Sequence, residues 1–253
     1  MSPSRPSLAR LRSQALVLAL SAAFTLSGCA AALPALGGGS TTPARRGDLL
    51  LGGAARVPFG KLREPALAPT GESRYRRDAQ ASGVVPVVAA RYGLAHHLDL
   101  GILVAGTTVR GELRREHVLV EDSTRPSFVY GLAPYVGMVE GGGSEGGRAT
   151  RFGLDLPVTY AVEIGGLYEV WLGLRAGAEG VRGQLGADGM REDVSAQKVY
   201  GGALFGVGLG FRRLHVLLEL TAAYEQWWGS HGITSFDRGG FVLTPAFALR
   251  FRI

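Results

Sequence analysis

Residues Arg151 to Ile164 alternate without a break. One face carries Phe152, Leu154, Leu156, Val158, Tyr160, Val162 and Ile164, and the other Arg151, Gly153, Asp155, Pro157, Thr159, Ala161 and Glu163. Successive side chains of a strand point to opposite faces, so a period of two over this length describes one long strand with unlike faces. Leu214 to Tyr224 repeats the pattern, and at the C-terminus Phe247, Leu249, Phe251 and Ile253 are opposed by Ala248, Arg250 and Arg252. Val199 to Phe211 sets apolar residues against Gly202, Leu204, Gly206, Gly208 and Gly210. Globular strands cluster near ~5–6 residues, whereas a tilted strand crossing a bilayer needs ~9–11. The apolar faces are nearly uninterrupted, and the opposite faces mix charge with glycine and alanine. That is the apolar-out, polar-in pattern of a membrane barrel; a lipocalin-like barrel would invert it.

The runs place strands over 48–59, 83–92, 98–107, 110–121, 126–139, 150–164, 167–180, 198–211, 214–227 and 239–253. The expected fold is therefore all-β, an antiparallel up-and-down transmembrane barrel of about ten strands, an even number as such barrels require. Short connections at 93–97, 122–125, 165–166 and 212–213 alternate with longer ones at 60–82, 140–149, 181–197 and 228–238, apart from a tight link at 108–109. Tyr92, Tyr168 and Phe251 are expected at one membrane interface and Trp227 with Trp228 at the other. Arg114, Arg115, Glu116 and His117 interrupt the apolar pattern, so eight strands with a long loop is the alternative.

The N-terminus carries an address. Arg5, Arg10 and Arg12 precede the apolar run Ala15 to Thr25, the organisation of a secretory signal. The run is too short for a membrane anchor of about 20 residues. Leu26-Ser27-Gly28-Cys29, ending in the one cysteine of the chain, resembles the lipobox of bacterial lipoproteins. The resemblance implies cleavage before Cys29, acylation (palmitate among the chains) of its thiol, and, because Ala30 follows, a lipid-anchored place at the outer membrane. The organisation expected is a signal peptide over 1–28, a lipidated N-terminus and flexible linker over 29–46, and a barrel domain over 47–253. The aromatic-rich final strand resembles the one that outer-membrane proteins present to their assembly machinery, which makes that machinery and membrane lipid the expected partners. Arg91-Tyr92-Gly93-Leu94 running into Leu98-Asp99-Leu100-Gly101 resembles a strand-turn-strand of bacterial outer-membrane barrels.

Half of the +6 formal charge sits in the signal segment, so it predicts no nucleic-acid partner. Glycine, 39 of 253 residues, is about twice its usual ~7% and lies within alternating runs, which points to strands packed closely against other backbone or a narrow interior. Gly206-Val207-Gly208-Leu209-Gly210 lacks the spacing and flanking elements of a dinucleotide loop, and Gly141 to Gly147 lacks a phosphate-cradle ending. His96-His97 has no further ligand nearby, and Ser230-His231 has no acid partner or nucleophile motif, so neither a metal or other cofactor nor a catalytic residue is expected.

The inward-facing charges Arg151, Asp155, Glu163, Glu169, Arg175, Glu179, Glu219, Glu225, Arg250 and Arg252 are the candidate site. In a narrow barrel they must pair or cost several kcal/mol each. Arg175, Arg250 and Arg252 are expected among Glu169, Glu219 and Glu225 as a charge network that plugs the lumen. The expected role is structural or surface-interacting, without catalysis. A narrow pore for small solutes and a soluble β-sandwich lipoprotein are the alternatives.

Overall fold

The structure, a computed structural model, describes residues 33–62, 83–140, 147–187, 190–211 and 213–253. The expected signal peptide over 1–28 and Cys29 lie outside the described residues. Ten antiparallel strands close into one barrel: β1 (Gly47–Pro58), β2 (Gly83–Ala95), β3 (Leu98–Ala105), β4 (Thr108–Val118), β5 (Thr124–Glu140), β6 (Gly147–Ile164), β7 (Tyr168–Ala187), β8 (Met190–Phe211), β9 (Leu214–His231) and β10 (Thr234–Arg252). Each strand pairs with its sequence neighbours, and β1 pairs with β10 through Leu49↔Phe251 and Leu51↔Leu249 to close the ring. Ten strands, not eight, is the count.

The alternation sets sidedness as expected. Leu156, Val158, Leu218 and Leu249 project outward, while Asp155, Glu219 and Arg250 are buried inside; the adjacent pair Leu218 (50% exposed) and Glu219 (4%) marks the switch. An apolar exterior wrapped around a charged interior suits a hydrocarbon solvent and not water. Tyr92, Tyr168 and Phe251 face outward near the end where both ends of the barrel chain meet, with Gly47 and Ile253 bonded to each other. Trp228 faces outward at the other end, but Trp227 is 2% exposed and points into the lumen. Neighbours on a strand cannot share a face, so only one of the two tryptophans can join an external girdle.

Three expectations about the strands need correction. β4 is regular: Arg110, Glu112, Arg114 and Glu116 point inward, with Leu113, Arg115 and His117 outward, so the apparent break is a strand whose inner face is charged at every position from 110 to 116. β7 runs on to Ala187 and β8 starts at Met190, leaving two residues where a loop over 181–197 was expected. β9 and β10 likewise leave only 232–233 in place of a loop over 228–238. These extensions rise beyond the apolar belt, where both faces can be wet and the outer face no longer needs to be apolar; that loss of contrast made them read as loops. Their inner face reverses character, with Val181, Leu185, Val194, Ala196, Trp227, Phe236 and Val242 in one buried cluster capped by Leu62 from a 3-10 turn (Gly60–Leu62). The wall is thus uneven: β3 and β4, joined at 106–107, are the lowest part of its far rim.

The inward glycines of β8 make room for bulk on the neighbouring strands. A Cβ on Gly206 would lie 2.2 Å from the Trp171 ring, and one on Gly208 would lie 2.3 Å from Glu169 Cγ.

Candidate functional site

The lumen between the two rims is lined by charge in alternating sign. On β2 to β4, Arg91 donates to Glu112 at 3.0 Å, Arg110 pairs with Glu112, and Arg114 donates to Asp99. Across the barrel, Arg175 donates to Asp155 at 2.7 Å, and the Tyr200 hydroxyl donates to the same oxygen at 3.0 Å. Arg250 meets Glu169 at 2.7 Å, near the end where the barrel termini meet. Further up, Arg56 meets Glu225 at 2.6 Å, while Arg151 and Lys198 share Glu179 at 2.5 and 3.3 Å. All of these charged side chains are buried, so each pair satisfies charges that water reaches poorly.

The site has an occupant supplied by the chain itself. Residues 33–46, expected as a flexible tether, run up inside the barrel, and Leu36, Ser40, Thr41 and Thr42 are fully or nearly fully buried. The strap enters beside Gly93, where Arg45 N–H donates to Gly93 O at 2.8 Å and Gly93 N–H to Arg46 O at 3.0 Å. Glycine is required there, because a Cβ on Gly93 would lie 2.1 Å from Pro43 O. Inside, arginines donate to its carbonyls: Arg175 to Leu33 at 2.5 Å, Arg110 to Pro34 and Ala35 at 2.6 and 2.8 Å, Arg91 to Leu36 at 2.8 Å, and Arg114 to Gly37. Carboxylates accept from its amides: Glu219 from Leu36 at 2.9 Å, Glu169 from Gly39 at 2.8 Å, Glu116 from Thr41 at 3.2 Å, and Asp99 from Thr42 at 2.7 Å.

Three strap residues have left-handed backbone, Leu36 at φ +41°, Gly38 at φ +67° and Arg45 at φ +62°. For leucine this conformation costs on the order of 1–3 kcal/mol. A single hydrogen bond to a charged group is worth about 1.5–3 kcal/mol, and Leu36 makes two while its side chain packs beside Trp171, Leu204 and Leu217. The contacts therefore outweigh the strain. Above Leu33 a small cavity of about 40 Å³ remains, lined by residues including Arg56, Tyr135, Lys198, Tyr200 and Trp227. The apolar cluster of the extended strands lies beyond it.

Of the expected network, Arg250–Glu169 is the one pairing found. Arg175 takes Asp155, Glu225 takes Arg56, and Arg252 lies at the rim, 3.9 Å from both Asp48 and Glu163. Glu219 holds the Leu36 amide and accepts from Trp171 Nε1 at 3.3 Å. The reason is the strap: it fills the space across which the arginines were expected to meet these carboxylates. Arg56, Arg91, Asp99, Arg110, Glu112, Arg114 and Glu116 were missed. The signal for four of them was present, as charges at every second residue of β4. His96 and His97 sit at the β2–β3 turn, and among the described residues no cluster of three or more His, Cys, Asp or Glu is placed to hold a metal ion. Ser230 and His231 end β9, with His231 buried 3.7 Å from Glu192.

No protein-family model matches the sequence, and no curated protein is significantly similar to it. Among solved structures, the chain is similar to Ail, the attachment invasion locus protein of Yersinia pestis, at 13% identity and a TM-score of 0.33, over 83% of this chain and 99% of that one. A likeness at that level bears on no individual residue here; what the barrel does has to be read from its own exterior and lumen.

Proposed function

We propose that the protein is an outer-membrane barrel with a sealed lumen, acting as a structural or surface-interacting element without catalysis or solute passage. The observation that carries the reading is the strap: a segment of the same chain occupies the lumen, and its main-chain groups are bound by the charges that would otherwise line a pore. The apolar belt supports residence in a bilayer, and the short turns at 96–97 and 165–167 beside both barrel termini, with the strands extended beyond the belt at the other end, support the end bearing the termini as the periplasmic one. Planar-bilayer recording of the purified full chain tests it. No steady conductance is expected; steady, ion-selective current would favour the narrow-pore alternative instead.

The proposal includes acylation at Cys29. Mass spectrometry of the mature N-terminus should find an acylated Cys29, lost in Cys29→Ala. A mature chain starting elsewhere removes the anchor from the proposal and leaves the sealed barrel standing.

A further inference from the structure

The strap is held chiefly through its main chain, with Leu36 as the one large side chain packed fully into the lumen. Carbonyls from Leu33 to Gly37 each receive an arginine, and amides of Leu36, Gly39, Thr41 and Thr42 each meet a carboxylate. Ser40, Thr41 and Thr42 add hydroxyl contacts to Arg252, Glu116 and Asp48. The strap is short of large groups, Leu33-Pro34-Ala35-Leu36-Gly37-Gly38-Gly39-Ser40-Thr41-Thr42, and glycine fits tightly at 39, where a Cβ would lie 3.1 Å from both Glu169 Cβ and Oε2. Fixed arginine forks and carboxylates placed to match successive C=O and N–H groups form a receptor for a backbone kinked at Leu36 and Gly38 and carrying mostly small side chains.

We propose that the periplasmic half of the lumen is a binding site for glycine-containing peptides of mostly small residues, filled in cis by residues 33–42 and able to take a separate peptide of that chemistry once the strap is withdrawn. This goes beyond the sealed-barrel reading, which requires only that the strap be present. The seat is reached from the periplasmic rim, where the strap turns over Gly93 and Arg45 and Arg46 are exposed. The occupant therefore leaves and enters from that side.

The test keeps the full chain and changes only the strap. Gly38→Val forces a β-branched residue into a left-handed position and brings its Cβ to about 3.0 Å from Arg250. Seating is read with one reporter, Ala35→Cys in a Cys29→Ala background, because Ala35 is buried when the strap is seated. The parent should resist a water-soluble maleimide, and the Gly38→Val chain should react at least tenfold faster. A fluorescent synthetic peptide of residues 33–42 should then bind the Gly38→Val chain in detergent micelles and not the parent. The same peptide N-methylated at the positions of Leu36 and Gly39 should bind at least tenfold more weakly, since two amides that meet carboxylates are lost. Three results would overturn the proposal: a reporter that stays shielded in Gly38→Val, an unseated chain that binds no peptide, or equal binding of the methylated one. None of these depends on conductance, so the sealed-barrel reading stands or falls separately.

Discussion

Arg110 shows what a single lumen side chain is asked to do. It reaches Glu112, lies 3.4 Å from Asp155, and donates to two strap carbonyls, Pro34 and Ala35. Replacing it with alanine leaves carboxylates short of a partner in a place water reaches poorly. Loss of one member of a buried pair costs about 3–5 kcal/mol, so Arg110→Ala should shift urea unfolding in lipid vesicles by that amount. The partner Arg91 still meets Glu112 at 3.0 Å, and Arg175 still meets Asp155, which puts the expected loss at the lower end. A shift near zero would mean that the lumen is wet and the pairs are screened.

At the scale of the strand, the sequence told sidedness far better than it told ends. Where a strand lies in the belt, its outer face must be apolar and its inner face is free to vary, so Arg151 to Ile164 and Leu214 to Tyr224 were legible as barrel strands with the correct face outward. Beyond the belt that contrast vanishes: Arg182, Gln184, Glu192 and Asp193 sit in paired strands of the β7–β8 hairpin yet look like loop residues. The same asymmetry makes a prediction. Arginine at Val158 or Leu218, both outward within the belt, should cost ~2–4 kcal/mol of unfolding free energy in vesicles. Arginine at the exposed Gln184, beyond the belt, should be nearly neutral. Equal costs at all three sites would contradict the placement of the bilayer.

For the whole molecule, the least legible part was the strap, and the reason is physical. Pro34, Gly37 to Gly39, Ser40 and the threonines have the composition of a linker, and a segment bound through its backbone carries no side-chain pattern to reveal it. Its receptor was half legible. Inward charges on β6, β7, β9 and β10 were found by alternation, but without the strap they could only be paired with one another. The closed ring, the inverted core beyond the belt and the self-filled lumen together describe a barrel stabilised as a solid body, with its far end held by an apolar cluster and the half nearer the barrel termini by the chain's own segment before β1.

Amide hydrogen exchange on the full chain in micelles tests that claim most directly, at the four strap amides bound to carboxylates: Leu36, Gly39, Thr41 and Thr42. A seated strap predicts exchange about a hundredfold or more slower than in the free peptide, approaching that of the neighbouring strands. Exchange at the free-peptide rate at all four, with the barrel strands still protected, would place the strap outside the lumen and contradict the account.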